Sequence, residues 1–219
     1  MAAPKRTNPY SVKGFTTVTP KGKALFCQVK EPSRLFNAKG EYSTALVLDP
    51  NDEAAKLFIE RLEALRDTAY NETVEALGAA KARGIEKADV FAYDIDKDGN
   101  ETGLIKFKMA LKNVDDLEPG RNKIEVVDAK KQPILTVPLV GNGSEIRCSV
   151  FANPYYMAST KKVGVSLKWN ALQIINLVEF SGGASAFDEE DGYTANQQQP
   201  TYTKPSSPVI DLDDDELEF

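Results

Sequence analysis

The chain has 219 residues, of which 42% are hydrophobic, 27 are basic, 33 are acidic and none is histidine. That length supports one domain of roughly 150–180 ordered residues with a real hydrophobic core. A chain without histidine has no Ser-His or Cys-His nucleophile system, no imidazole base and no His-type zinc site.

The formal charge of −6 conceals a split. Residues 181–219 hold ten acids and one base, Lys204, so their net charge is −9 and residues 1–180 are left at +3. A mildly basic body joined to a strongly acidic arm points to nucleic acid or to basic protein partners. No run of about 18 apolar residues suits a membrane span, and the start does not read as a signal peptide. Cys27 and Cys148 sit at inward phase in alternating stretches, which suits reduced core thiols of a cytosolic protein better than a disulfide.

In chain order, residues 1–13 are polar with two prolines and are expected to be loose. Residues 14–31 alternate as a strand, with Leu25, Cys27 and Val29 on one face and Ala24, Phe26 and Gln28 on the other. A second strand, led by Gly40, carries Tyr42, Thr44, Leu46 and Leu48. A helix is predicted over 50–83, capped by Asp49 with Pro50 at its first position. Its apolar stripe is Leu57, Phe58, Leu62, Leu65, Ala69 and Val74, with a break near Asp67 and an end at Gly78 or Gly84.

The period then returns to two. Ile105, Phe107, Met109 and Leu111 point one way, and Lys106, Lys108, Ala110 and Lys112 the other. Further strands are expected at 123–127, 134–139, 145–151 and 163–180, with turns at 128–131 and 141–143. This order, interrupted by one helical insertion, suits a mainly β fold built as a small five-stranded Greek-key barrel. From residue 181 the composition shifts to Gly, Ser, Gln, Pro and acid, the signature of a disordered linker and tail, not a second domain.

Two motifs resemble ligand loops. Asp94-x-Asp96-x-Asp98-Gly99 copies half of an EF-hand loop, but its twelfth position is Ile105 where a bidentate Glu is needed, so it reads as a hairpin turn. Gly141-Asn142-Gly143-Ser144 lacks the Lys and the following helix of a phosphate loop, and reads as a turn. Neither a metal nor another cofactor is expected.

The polar strand faces carry more. Lys106, Lys108, Arg147, Phe151, Lys162 and Lys168 lie opposite the core phase, and a loop over 153–162 presents Tyr155, Tyr156, Lys161 and Lys162. Aromatic rings among cations on a sheet face suit unpaired bases and their phosphates. Phe26 is a further candidate platform, whereas Trp169 shares the phase of Val163, Val165 and Leu167 and reads as core. At the other end, Asp211, Asp213, Asp214, Asp215, Glu216 and Glu218 lead to Phe219, an anchor-plus-charge unit for a basic pocket on a partner.

Val126-Val127-Asp128 with its Lys turn, Val137-Pro138-Leu139-Val140-Gly141-Asn142-Gly143-Ser144, Pro154-Tyr155-Tyr156, Val163-Gly164-Val165-Ser166-Leu167-Lys168, Leu177-Val178-Glu179-Phe180, Asp191-Gly192-Tyr193 and the acidic ending together resemble the single-stranded DNA-binding proteins of tailed bacteriophages, nearest the T-seven-like type. The resemblance implies an OB fold with an inserted helix, non-catalytic coating of single-stranded DNA in replication, recombination and repair, and a tail that docks replication proteins such as a DNA polymerase or a helicase/primase. It places Tyr155 and Tyr156 among the base-stacking aromatics. A homodimer or cooperative array on DNA is compatible with it, and the site of action would be the cytoplasm of the infected bacterial host. One departure stands out: where the family carries an exposed aromatic on the 105–111 strand, this chain offers only Ala110. The alternative is a non-catalytic acidic hub that mimics DNA and binds basic partners.

Overall fold

The computed structural model describes residues 8–35, 37–112 and 124–179. Its elements are β1 (Phe15–Val18), β2 (Gly22–Ser33), β3 (Glu41–Leu48), α1 (Glu53–Ala82), β4 (Glu86–Lys87), β5 (Ala92–Ile95), β6 (Glu101–Lys112), β7 (Glu125–Val127), β8 (Glu145–Met157) and β9 (Lys162–Asn176). The fold is mainly β with one helix inserted between β3 and β4.

Hydrogen-bonded neighbours lead from β2 through β3, β6, β9 and β8 and back to β2. Within this circuit only β6 and β9 run parallel. Alternation puts one face of each strand of this circuit inside, where Leu46, Ile105, Phe107, Met109, Ile146, Cys148, Val150, Trp169 and Leu172 are part of the core. Trp169 is fully buried and its indole Nε1 donates to the Ala171 carbonyl at 3.1 Å. Burial of its large ring without an orphaned N–H is what a stable core position requires.

Several sequence expectations are corrected by local chemistry. The 14–31 stretch is two strands, β1 and β2, separated at Thr19–Pro20, because Pro20 has no N–H to continue a ladder. A register shift between Leu25 and Gln28 breaks strict alternation in β2, so Ala24 is buried although it was assigned to the face of Phe26. Residues 134–139 form no strand; Pro133 and Pro138 remove ladder donors, and Leu135 is 96% exposed. Residues 8–13 are tied down, with Tyr10 Oη donating to the Pro154 carbonyl and Ser11 and Val12 N–H groups both donating to Glu72 Oε2. The supposed 153–162 loop is instead mostly strand, since β8 continues to Met157 and pairs with β9 throughout. β9 ends at Asn176, short of 180, and β7 is the three-residue Glu125–Val127.

The helix begins later than expected. Asp52, not Asp49, is the cap, accepting from the Ala54 N–H at 3.1 Å, while Asp49 closes the preceding turn through the Asn51 N–H at 2.8 Å. It runs unbroken past Asp67 and kinks at Gly78, whose φ of 72° is open to glycine. Its buried stripe is Ala55, Phe58, Leu62, Leu65, Ala69 and Thr73, and Phe58 meets Phe107 edge-on at 5.1 Å. Leu57 is 56% exposed and lies off the stripe, being one step out of the 3–4 spacing. Leu62→Ala should lower stability by about 2–5 kcal/mol, whereas Leu57→Ala should stay within about 0.5 kcal/mol of the parent. Urea unfolding of the two variants checks this; equal losses would contradict the assigned face.

Candidate nucleic-acid interface

The outer face of the circuit carries the candidate residues in register. Paired positions share a face, so Gln28, Ser43, Ala110, Lys168, Phe151 and Thr16 form one lateral row across β2, β3, β6, β9, β8 and β1. Leu25, Ala45 and Lys108 form the next row, and Lys23, Val47 and Lys106 the one after it. Small side chains on β3 and at Ala110 leave a shallow floor, with lysines rising from β6 and β9.

Three clefts of ≈ 450, ≈ 690 and ≈ 670 Å³ open on this region, and Phe26 lines all of them. Its ring is 71% exposed and its backbone has a φ of +52°, uncommon for a bulky side chain. The left-handed residue sits in the irregularity between Leu25 and Gln28, where the ladder is interrupted. Lys108 lines the second and third clefts with Ser43, Lys106 joins the second, and Lys112 the third. Lys106 is partly committed, its Nζ lying 3.5 Å from Asp94 Oδ1. Lys108 and Lys168 make no ion pair among the described residues.

The tyrosine pair divides. Tyr155 keeps the outer phase of β8, and its ring crosses to β9, where a Cβ on Gly164 would sit 2.5 Å from the phenol oxygen. Tyr156 turns inward and packs against Ala69, Ile85 and Val163. Phe151 is half-buried, with Gly14 of the entering strand against its ring. Arg147 is exposed but directed to the link between β1 and β2, its Nε donating to the Thr19 carbonyl at 3.3 Å. Lys161 donates to the Arg83 carbonyl at 3.0 Å from the turn before β9, and Lys162, which opens β9, pairs in register with Glu86, so both lie beside the end of α1. Asp211, Asp213, Asp214, Asp215, Glu216, Glu218 and Phe219 lie outside the described residues.

Sequence reasoning passed over Phe91, which lines the second cleft and meets Tyr93 edge-on at 5.6 Å. The Phe91-x-Tyr93 alternation ahead of the hairpin turn was the available signal. That turn uses its carboxylates internally: Asp96 Oδ1 accepts from the Asp98 and Asn100 N–H groups, and Asp94 accepts from Thr102 Oγ1. Among the described residues no group of three or more His, Cys, Asp or Glu could hold a metal.

A family model described as the single-stranded DNA-binding protein of bacteriophage T7 matches residues 23–179. The single-stranded DNA-binding protein of Escherichia phage T7 is 25% identical over 170 residues, covering 73% of each chain. Its counterpart from Enterobacteria phage T3 is 26% identical over 174 residues, covering 74% of this chain and 75% of its own. The crystal structure of gp2.5, a single-stranded DNA-binding protein encoded by bacteriophage T7, matches with a TM-score of 0.61 at 21% identity, over 83% of this chain and 99% of that one. A single-stranded DNA-binding protein from bacteriophage Enc34, in complex with single-stranded DNA, matches with a TM-score of 0.51 at 14% identity, over 82% and 100%. The two structural likenesses concern the fold.

Both cysteines are free thiols. Cys27 lines the first cleft, yet burial pushes its thiol up to about 11, only partly opposed by a hydrogen bond with Thr44. Burial raises Cys148 further still, with Cys27 adding to it and Trp169 opposing. Because the thiolate is the reactive form, iodoacetamide at pH 8 should modify Cys27 about two orders of magnitude more slowly than an ordinary free thiol, and Cys148 more slowly again. A mass-spectrometric time course reads both rates, and a Cys27 rate equal to that of free cysteine would refute the burial argument.

Proposed function

Because this chain belongs to the family of the bacteriophage T7 single-stranded DNA-binding protein, we propose that it coats unpaired DNA without sequence preference during phage DNA replication, recombination and repair. The observation that carries this reading is the exposed Phe26 ring at the junction of three clefts, with Lys106 and Lys108 lining them. An unpaired base offers a π-face of any identity to such a ring, and the phosphates meet cations, so neither contact depends on sequence. Phe26 replaces the aromatic that the β6 strand lacks at Ala110. Tyr155 is the second platform, and Lys168, one row from Lys108, continues the cationic path. Tyr156 supports the site by packing.

The reading is non-catalytic: the bound strand is held, and no nucleophile or metal is asked to act on it. The DNA-binding body is residues 1–180, and the acidic segment from 181 onward is the arm through which replication proteins (a polymerase, a helicase/primase) are recruited in the host cytoplasm. Its Phe219 end supplies an apolar anchor beside six carboxylates, suited to a basic pocket. Tethering gives the arm's charge a high effective concentration for any cationic site on the body, so it should compete with DNA.

Fluorescence anisotropy of labelled oligo-dT against a duplex, at two salt concentrations, tests the binding claim. Oligo-dT should bind in preference to duplex and weaken as salt rises. Replacing Tyr155 with Ala should cost about 1–3 kcal/mol of that affinity, and reversing Lys106 and Lys108 to Glu should flatten the salt dependence. Equal affinity for duplex and oligo-dT would sink the single-strand reading. Deleting residues 196–219 should strengthen DNA binding, most visibly for duplex, whereas deleting Phe219 alone should leave DNA affinity close to the parent; weaker oligo-dT binding after tail deletion at low salt would exclude competition.

A further inference from the structure

Phe26 lines the clefts from an unusual backbone conformation, and a distant side chain meets that backbone. The Phe26 N–H donates to Asn142 Oδ1 at 2.8 Å, across 116 positions of sequence. Asn142 itself belongs to a turn that is gripped on both sides. The Gly143 N–H donates to the Ala24 carbonyl at 2.9 Å, and the Ala24 N–H donates to the Ser144 carbonyl at 2.9 Å. The Gly141 N–H donates to the Val178 carbonyl at 2.8 Å, and the Val178 N–H donates to the buried Ser144 Oγ at 2.9 Å. The Asn142 backbone is therefore fixed by the strand that carries Phe26 and by the segment after β9, while its side chain is free to reach the bulge.

A bulky residue with positive φ persists only where its surroundings over-determine it. Without an acceptor for its N–H, Phe26 has reason to relax into extended backbone. In a strand, a change of one position in phase carries a side chain to the opposite face. The same relaxation would move the ring away from the lysine-lined clefts. We propose that Asn142 is a positioning residue for single-strand binding: by accepting the Phe26 N–H it holds the bulge that stands the ring where a base can stack. This deepens the reading above and rests on Phe26 being a stacking platform. If Asn142 merely completed its own turn, its loss would lower stability without altering what Phe26 contributes to DNA affinity.

The test is a thermodynamic cycle on the full-length protein, read by anisotropy with labelled oligo-dT after thermal melts confirm folding. Phe26→Ala should weaken binding on the order of 10-fold, within the range for one lost stacked base. Asn142→Ala should weaken it by about 3- to 10-fold, and the double variant should bind within about 2-fold of Phe26→Ala alone, because coupled residues are non-additive. Asn142→Asp keeps an acceptor oxygen at the same reach and should restore most of the parent's affinity once salt screens the added charge. Should Asn142→Ala fail to fold, Asn142→Ser takes its place, keeping a turn-forming side chain but shortening its reach. Additive losses in the double variant, or parental affinity in Asn142→Ala, overturn the positioning role while leaving single-strand binding standing. A parent protein that ignores oligo-dT overturns the reading beneath it.

Discussion

Strand β9 is the constraint on which the rest depends. One edge pairs with β8 from Glu145–Asn176 to Met157–Lys162, and the other edge meets β4, then β6, then β7. A strand paired along the whole of one edge and at three places along the other has its register fixed from two sides. That register sends Trp169, Leu167 and Leu172 inward and Lys168 outward. The parallel β6–β9 seam, Met109 to Leu167 and Ala110 to Lys168, joins the two ends of the ring of pairings. It also brings the cation of β9 beside the cations of β6, which lie more than 50 positions earlier in the chain.

The proposed binding surface for unpaired DNA would follow from this packing with little added. The outer row is low at Ser43 and Ala110 because those two side chains are small, which leaves room for a ring from the neighbouring strand to lean over them. Phe26 can do so because β2 breaks register between Leu25 and Gln28, the kind of irregularity that re-aims a side chain. Gly164 plays the corresponding part for Tyr155, since any Cβ there would meet the phenol. The place of Phe26 thus depends on a local departure from regular strand geometry, that of Tyr155 on a neighbour without a side chain, and those of the cations on the regular part.

The legible features were those carried by period. Alternation over 105–112 gave the buried and lysine faces of β6 correctly, because a long strand with one apolar face has only one stable register. The helix interior was legible for the same reason, from Phe58, Leu62 and Leu65 at helical spacing. What failed was punctuation. Asp49 and Asp52 are equally good caps on paper, and the Asn51 turn decided between them. Pro154 looked like the opening of a loop, yet it lies in a strand, buried and opposite Val165, where its carbonyl still accepts from Tyr10. Among candidate site residues, Phe26, Lys106 and Lys108 converge on the clefts, whereas Tyr156 and Lys161 are drawn to the helix side by contacts that no local spacing encodes.

The modest charge of the body shapes how this family member can hold DNA. Residues 1–180 carry only +3, and one of the groove lysines, Lys106, already faces Asp94. If Lys106, Lys108 and Lys168 are the cations that meet phosphate, as proposed, counterion release gives a shallow salt dependence, since each neutralised phosphate contributes only about 0.7 to the slope on a single strand. Stacking must then supply a correspondingly larger share of affinity, at about 1–3 kcal/mol per base. Stacking requires unpaired bases, whereas phosphate contacts do not. On the proposed site, a weakly basic groove with well-held aromatics would discriminate single strands from duplex more sharply than a strongly basic one, and the proposed competition from the arm, at −9, would add to it.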